Sequence, residues 1–291
     1  MGTVTTFDPV GEHHKTRAAL AAAIPRLVGL LRAVPDLDAP SGVPVWTVGD
    51  VGAHLTSVYL AYGSVVSADG AMDWADLLPP GALPSGDLPF VERITAMNAT
   101  SVGLLDGEGR TRLGDLLAER GETFLRITEG LAPDTPVIAP WYGPEPTLTV
   151  AVVTGLMLSE TLVHGLDIAR GARLPWPIGP DEASLVIGQS MPAMMSLALD
   201  ETKARGVRIA FDLVVKGGPR LAIVVDDGTM TVTRDAPPRT YDCRITVAPT
   251  AFLLVSFRRT PIWKAIARGR LRAGGRRPWL ATRLGELVAT P

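Results

Sequence analysis

The sequence predicts a helix bundle followed by a smaller α+β domain with an antiparallel sheet. Three observations carry this reading. Apolar residues recur at three- and four-residue spacing through the first 170 or so positions. A Gly/Pro-rich stretch, GARLPWPIGP at 171–180, then interrupts the pattern. Beyond about residue 205 the chain turns to short β-rich runs, VRIAFDLVV, PRLAIVV, GTMTVTR and CRITVAP, with turn residues between them. The expected domains are 1–171 and 181–291, and a length of 291 residues suits two domains better than one.

The first helix is expected over 11–34, where Leu20, Ile24, Leu27, Leu30 and Leu31 make one apolar stripe. Pro35 to Pro44 reads as a loop. The second helix starts at Thr47, a good N-cap with Asp50 three residues on, and runs to about Val66. Residues 68–89 form a long Pro/Gly-rich loop. Helical patterns return at 89–105 and 111–130, broken by Asp106-Gly107-Glu108-Gly109. Residues 132–146 are a further expected loop, and a long helix is expected over 147–170. Four main helices joined by sizeable crossovers describe a bundle.

In the second domain a helix is expected over 181–203 with a break at Pro192, before the strands begin. Asp227-Gly228 is the hairpin turn between two of them. Helices are expected again at 249–257, 260–268 and 278–288.

Composition narrows the function classes. A net charge of −2 gives no footprint for bulk nucleic-acid binding. The sole cysteine, Cys243, excludes an intramolecular disulfide and reads as a small buried residue. The N-terminus lacks the basic start and apolar core of a signal peptide, and no apolar stretch reaches the ~20 residues of a membrane span. The expectation is a cytoplasmic protein with no membrane partner and no nucleic-acid partner.

The chemistry sits in the bundle. Glu160 and His164 are four apart on the long helix and share a face with apolar Met157 and Ile168, so that face points inward. An inward carboxylate is costly unless it is paired or ligates a cation. His54 lies on the second helix among Val51, Leu55 and Val58. Two helices of a bundle can aim such groups at one point. Two imidazoles and a carboxylate suit zinc with one position left open, although a ferrous site uses the same ligand types.

Asp167 is either an acceptor for the other ring nitrogen of His164 or a solvated carboxylate; the spacing leaves both open. His13 and His14 are read as surface residues. Trp141 and Tyr142 either line a pocket mouth or pack. Arg220, Arg244, Arg270, Arg272 and Arg276 are the second-domain cations available to an anionic substrate. No catalytic base and no cofactor-binding residue is assigned.

The segments WTVGDVGAHL (46–55) and SETLVHGLDIAR (159–170) resemble the signature stretches of the mycothiol-dependent maleylpyruvate isomerase family, within the DinB-like bundle superfamily. The resemblance covers about residues 10–170 and implies a DinB-like four-helix bundle. It implies that His54, Glu160 and His164 bind a divalent metal. It also implies mycothiol as thiol cosubstrate, in an isomerase or thiol transferase acting on a small electrophile, one expected to carry a carboxylate. Residues 205–291, through VRIAFDLVV, DDGTMTV, DCRITVAPTAFLLV and IARGRLRAGG, resemble the sterol-carrier-protein-2-like domain that often follows this bundle. That domain often carries an acidic residue after a G-x-L-x-x-x-G stretch; here Gly275-Arg276-Arg277 stands in its place. The family's isomerases use a second-domain arginine, which aligns with no single position here. Two other readings compete. One is a non-catalytic metal- and apolar-ligand-binding protein; the other is a biosynthetic enzyme using the same metal scaffold.

Overall fold

The computed structural model describes residues 7–67, 78, 88–142, 147–235 and 240–289. The chain divides into two compact units, Lys15–Pro177 and Met1–His14 with Ile178–Thr290.

The first unit holds α1 (Pro9–Ala33, whose first turns belong to the other unit), α2 (Val48–Val66), α3 (Phe90–Val102), α4 (Gly107–Thr111) and α5 (Leu113–Ile127). It is completed by β1 (Pro136–Ile138), β2 (Thr147–Thr149) and α6 (Val150–Ala172). The apolar stripe of α1 is buried as its spacing requires, with Leu20 and Leu27 wholly covered. Thr47 caps α2 as expected. Its hydroxyl accepts from the Asp50 amide and the Asp50 carboxylate accepts from the Thr47 amide. α2 is the central helix and packs against α3, α5 and α6. Gly52 makes one of these approaches possible, because a Cβ there would come within 2.9 Å of Leu113.

Two expected irregular stretches are ordered. The Asp106–Gly109 break starts a helical turn, because the Asp106 carboxylate caps α4 by accepting from the Gly109 amide at 2.8 Å. The expected loop at 132–146 contains β1, which pairs antiparallel with β2, and a 3₁₀ turn at Pro140–Tyr142. Strands of three residues are too short to display alternation, so no periodicity marked them. The helix expected from 147 therefore starts at Val150, capped by Thr149. Most of the 68–89 loop and residues 143–146 lie outside the described residues.

α6 ends in Arg173, which takes the left-handed conformation at φ 58°. Trp176 then folds back, its indole N–H donating to the Leu162 carbonyl at 2.9 Å. Gly165 leaves room for that ring, since a Cβ would lie 2.4 Å from it. By length and composition α6 could cross a membrane, contrary to the sequence expectation, yet 67% of its most apolar window is buried. Its hydropathy reflects a position in the bundle core.

The second unit holds α7 (Pro180–Gln189), α8 (Met191–Leu197), α9 (Glu201–Ala204), β3 (Arg208–Val215), β4 (Arg220–Asp226), β5 (Thr229–Arg234) and β6 (Cys243–Val247). After them come α10 (Pro249–Ser256), α11 (Ile262–Ala267), β7 (Leu271–Gly274) and α12 (Ala281–Leu287). The expected helix at 181–203 is thus three short ones. The strands form one sheet in the order β5-β4-β3-β6-β7. Asp227 and Gly228, at φ 45° and 87°, make the hairpin turn between β4 and β5.

The expected antiparallel sheet has one parallel pair, β3 with β6. The chain leaves β5 at one edge and re-enters beyond β3, which brings β6 in along β3's direction. Ile209, Phe211, Leu213 and Val215 of β3 line the buried face together with Leu221, Ile223 and Val225 of β4. β7 was not foreseen, because its four residues LRAG carry only one buried apolar position.

His13 corrects a sequence expectation. It is buried at 2% exposure, whereas His14 is exposed as expected. The first turns of α1 belong to the sheet unit. There Glu12 pairs with Arg234 at 3.2 Å, and the Arg234 guanidinium lies 3.9 Å over the Phe7 ring.

Candidate metal centre

His54, Glu160 and His164 meet in the bundle. One ligand-capable atom from each lies within 4.8 Å of the other two. His54 sits in the second turn of α2, the helix whose start the Thr47–Asp50 box fixes, and it is 2% exposed. Glu160 and His164 project one turn apart from α6, which packs against α2. Glu160 Oε2 lies 3.4 Å from His54 Nε2 and 3.2 Å from His164 Nε2. The imidazole centroids are 4.9 Å apart and nearly perpendicular, and the Trp46 ring stands 5.1 Å from His54 and 6.3 Å from His164.

Neighbouring groups set the tautomers. The Ser101 hydroxyl donates to the Asn98 carbonyl at 2.6 Å, so it accepts from His54 Nδ1–H at 2.7 Å. Asp167, wholly buried, accepts from His164 Nδ1–H at 3.0 Å. Of the two alternatives left by the sequence, Asp167 is the imidazole partner. A proton on each Nδ1 turns both Nε2 atoms toward Glu160, the arrangement a metal-binding histidine needs.

The electrostatics describe a tightly coupled group. Burial pushes the His54 imidazolium pKa down, and Glu160 only partly offsets this. Burial also works against ionised Glu160, but the facing His164 imidazolium, with the His54 ring beside it, wins and holds its carboxyl well below the usual range. Burial opposes charging of His164 too; hydrogen bonds to Asp167 and Glu160 overcome it and raise its pKa to about 9. Two carboxylates and two imidazoles gathered this closely, with His54 and Asp167 buried and Glu160 and His164 partly exposed, favour a cation among them.

Ser101 and Trp46 were not singled out from sequence. A serine near the end of α3 carries no signal of a histidine partner, and Trp46 marked only the start of α2. Trp141 and Tyr142 are buried and packed. Trp141 stands edge-on to Tyr62 at 5.1 Å, the Tyr62 and Tyr142 hydroxyls hydrogen-bond, and Arg93 donates to both Trp141 and Tyr142 carbonyls.

In the sheet unit, Arg220 and Arg244 both bind the buried carboxylate of Asp212, with their Nε atoms at 2.7 Å. Arg276 pairs with Asp242 at 3.0 Å, and Arg270 and Arg272 are exposed. Cys243 is buried in β6, and burial raises its thiol pKa.

Residues 17–169 match the family model of the mycothiol maleylpyruvate isomerase N-terminal domain. No curated protein matches the chain in sequence. Among solved structures, the chain is similar to a mycothiol-dependent maleylpyruvate isomerase at 12% identity, covering 94% of this chain and 96% of that one, with a TM-score of 0.49. A mutant of that isomerase gives 12% identity, the same coverage and a TM-score of 0.48. A stereoselective inverting sec-alkylsulfatase from Pseudomonas sp. is 13% identical over 72% of this chain, with a TM-score of 0.32. The chain spans about a third of that sulfatase, 31% of its length. With the family model covering more than half of the sequence, including all three converging residues, the chain belongs to the mycothiol maleylpyruvate isomerase N-terminal domain family.

Proposed function

We propose that the protein is a metal- and mycothiol-dependent isomerase or thiol transferase acting on a small, carboxylate-bearing electrophile. The observation that carries this reading is the convergence of His54, Glu160 and His164 within 4.8 Å, inside the segment matched by the family. The donor set fits a divalent ion, with zinc preferred. His54 Nε2, a Glu160 carboxylate oxygen and His164 Nε2 would hold it. Three protein ligands leave a position for an exogenous group.

When bound, the ion supplies the Lewis acidity that keeps a small thiol deprotonated at neutral pH. The chain's own residues do the positioning. Ser101 and Asp167 hold the imidazoles in register, and the Trp46 ring stands beside both. Cys243, buried and in the other unit, is a poor nucleophile, which supports a thiol from solution. In the isomerase reading, the thiol sulfur adds to the activated double bond, the new single bond rotates, and elimination of the same thiolate leaves the trans product. Residues 181–291 are proposed as the sterol-carrier-like second domain.

The test is elemental analysis of chelator-free protein followed by turnover of maleylpyruvate with and without mycothiol. About one divalent ion per chain and thiol-dependent turnover support the reading. Activity undiminished after every small thiol is removed refutes the thiol role, and a chain that takes up no metal refutes the centre.

A further inference from the structure

Between Asp242 and Glu286 the sequence has no acidic residue and ten basic ones: Arg244, Arg258, Arg259, Lys264, Arg268, Arg270, Arg272, Arg276, Arg277 and Arg283. The chain holds 28 basic residues and has a net charge of −2, so more than a third of its cations fall in this short segment. The fold brings six of them, Lys264, Arg268, Arg270, Arg272, Arg276 and Arg277, onto or beside one edge of the sheet. β7 is the terminal strand, α11 packs against it, and so does the 3₁₀ turn at Pro278–Leu280.

Some of the cations are spoken for, Arg244 by Asp212, Arg276 and Arg277 by Asp242, and Arg283 by Glu286. Arg258, Lys264, Arg268, Arg270 and Arg272 are exposed and have no acidic partner among the described residues. The same edge displays Trp263 at 63% exposure, Ile266 at 50% and Trp279 at 69%. Trp263 and Ile266 are three apart on α11, so they share a face. Trp279 stands on the 3₁₀ turn on the same strand.

From this juxtaposition of unpaired cations and exposed Trp263, Ile266 and Trp279 along β7, we propose that this edge docks on the surface of an anionic lipid bilayer. Charge selects the partner. Basic side chains near a negatively charged leaflet are attracted within a Debye length, and the attraction weakens with salt. The apolar side chains favour lipid over a soluble polyanion. Tryptophan prefers the headgroup level, where its ring is half in hydrocarbon and its N–H is hydrated. Isoleucine gains from acyl chains but has neither a stacking face nor a hydrogen bond to offer a nucleic-acid base. This was not foreseen from overall charge, because acidic residues elsewhere cancel the basic edge. The inference is independent of the bundle centre.

The experiment is co-sedimentation of the full chain with vesicles of phosphatidylcholine alone and of phosphatidylcholine with ~30% phosphatidylglycerol. A net anionic surface of that kind attracts polybasic edges. Binding is expected only to the anionic vesicles and is expected to weaken as salt is raised. Trp263→Ala with Trp279→Ala, and separately Lys264→Glu with Arg268→Glu, should each lower partitioning about tenfold. Circular dichroism and melting should stay as in the parent, since all four side chains are exposed. Three results overturn the proposal. These are no binding to anionic vesicles at low salt, binding unaltered by both double substitutions, or retention on single-stranded DNA at salt where vesicle binding is lost.

Discussion

Asp167 has no exposed surface, yet its carboxylate receives the Nδ1–H of His164 at 3.0 Å. Gly42 braces the same residue, its amide donating to the Asp167 carbonyl at 2.9 Å. A buried carboxylate placed behind an imidazole fixes which nitrogen faces the centre and raises that nitrogen's basicity. Asp167→Asn is therefore expected to weaken zinc binding by about 10- to 100-fold, the usual cost of losing such a partner. Chelator competition measures it, and affinity equal to the parent's would remove Asp167 from the centre.

His54→Ala should abolish both metal retention and turnover. Cys243→Ala should leave turnover close to that of the parent. The pair of variants, each assayed for metal content and for mycothiol-dependent activity, separates a thiol from solution from the chain's own. Loss of activity in Cys243→Ala with metal content and fold intact would overturn the assignment.

Thr47→Ala removes the hydroxyl that accepts from the Asp50 amide and breaks the box that starts α2. The expected loss is about 1 kcal/mol, read from denaturant unfolding. Because α2 carries His54, the same variant should also weaken metal binding, though less than Asp167→Asn does.

Asp212 governs stability in acid. Burial works against its charge, but hydrogen bonds from Arg220 and Arg244 prevail and lower its pKa. A carboxyl with a folded pKa below its unfolded value stabilises the fold above the unfolded value, about 3.9, and this contribution is lost as pH falls through the folded pKa. Asp212→Asn should cost about 2 kcal/mol at neutral pH, the scale of hydrogen bonds to a charged group. The gap between parent and variant melting temperatures should begin to narrow below about pH 4, where the unfolded chain's carboxyl takes up its proton, and should close only as pH falls further, through the lowered folded pKa. A gap that stays constant down to acid pH would show that the effect is not ionic.

Much of this was legible in the sequence wherever a local signal was strong. Thr47 and Asp50 announced the start of α2, Asp227-Gly228 announced a hairpin, and the four-residue spacing of Glu160 and His164 announced a shared face. What stayed hidden lacked period or length. β1, β2 and β7 have three or four residues each, and α4 was masked by two glycines that read as a break. The parallel pairing of β3 with β6 depends on where a connection returns, which no local pattern encodes. Ser101 reaches His54 across 47 positions, and only the packing of α3 on α2 creates that contact.

The burial of Cys243 has a consequence for durability. An accessible cysteine is open to alkylation or to a mixed disulfide. Attack requires an accessible thiolate. This chain has one sulfhydryl, enclosed in β6 and held in its protonated form. The thiol of the folded protein is thus shielded from alkylating reagents: iodoacetamide should label no cysteine in the native state and one after denaturation.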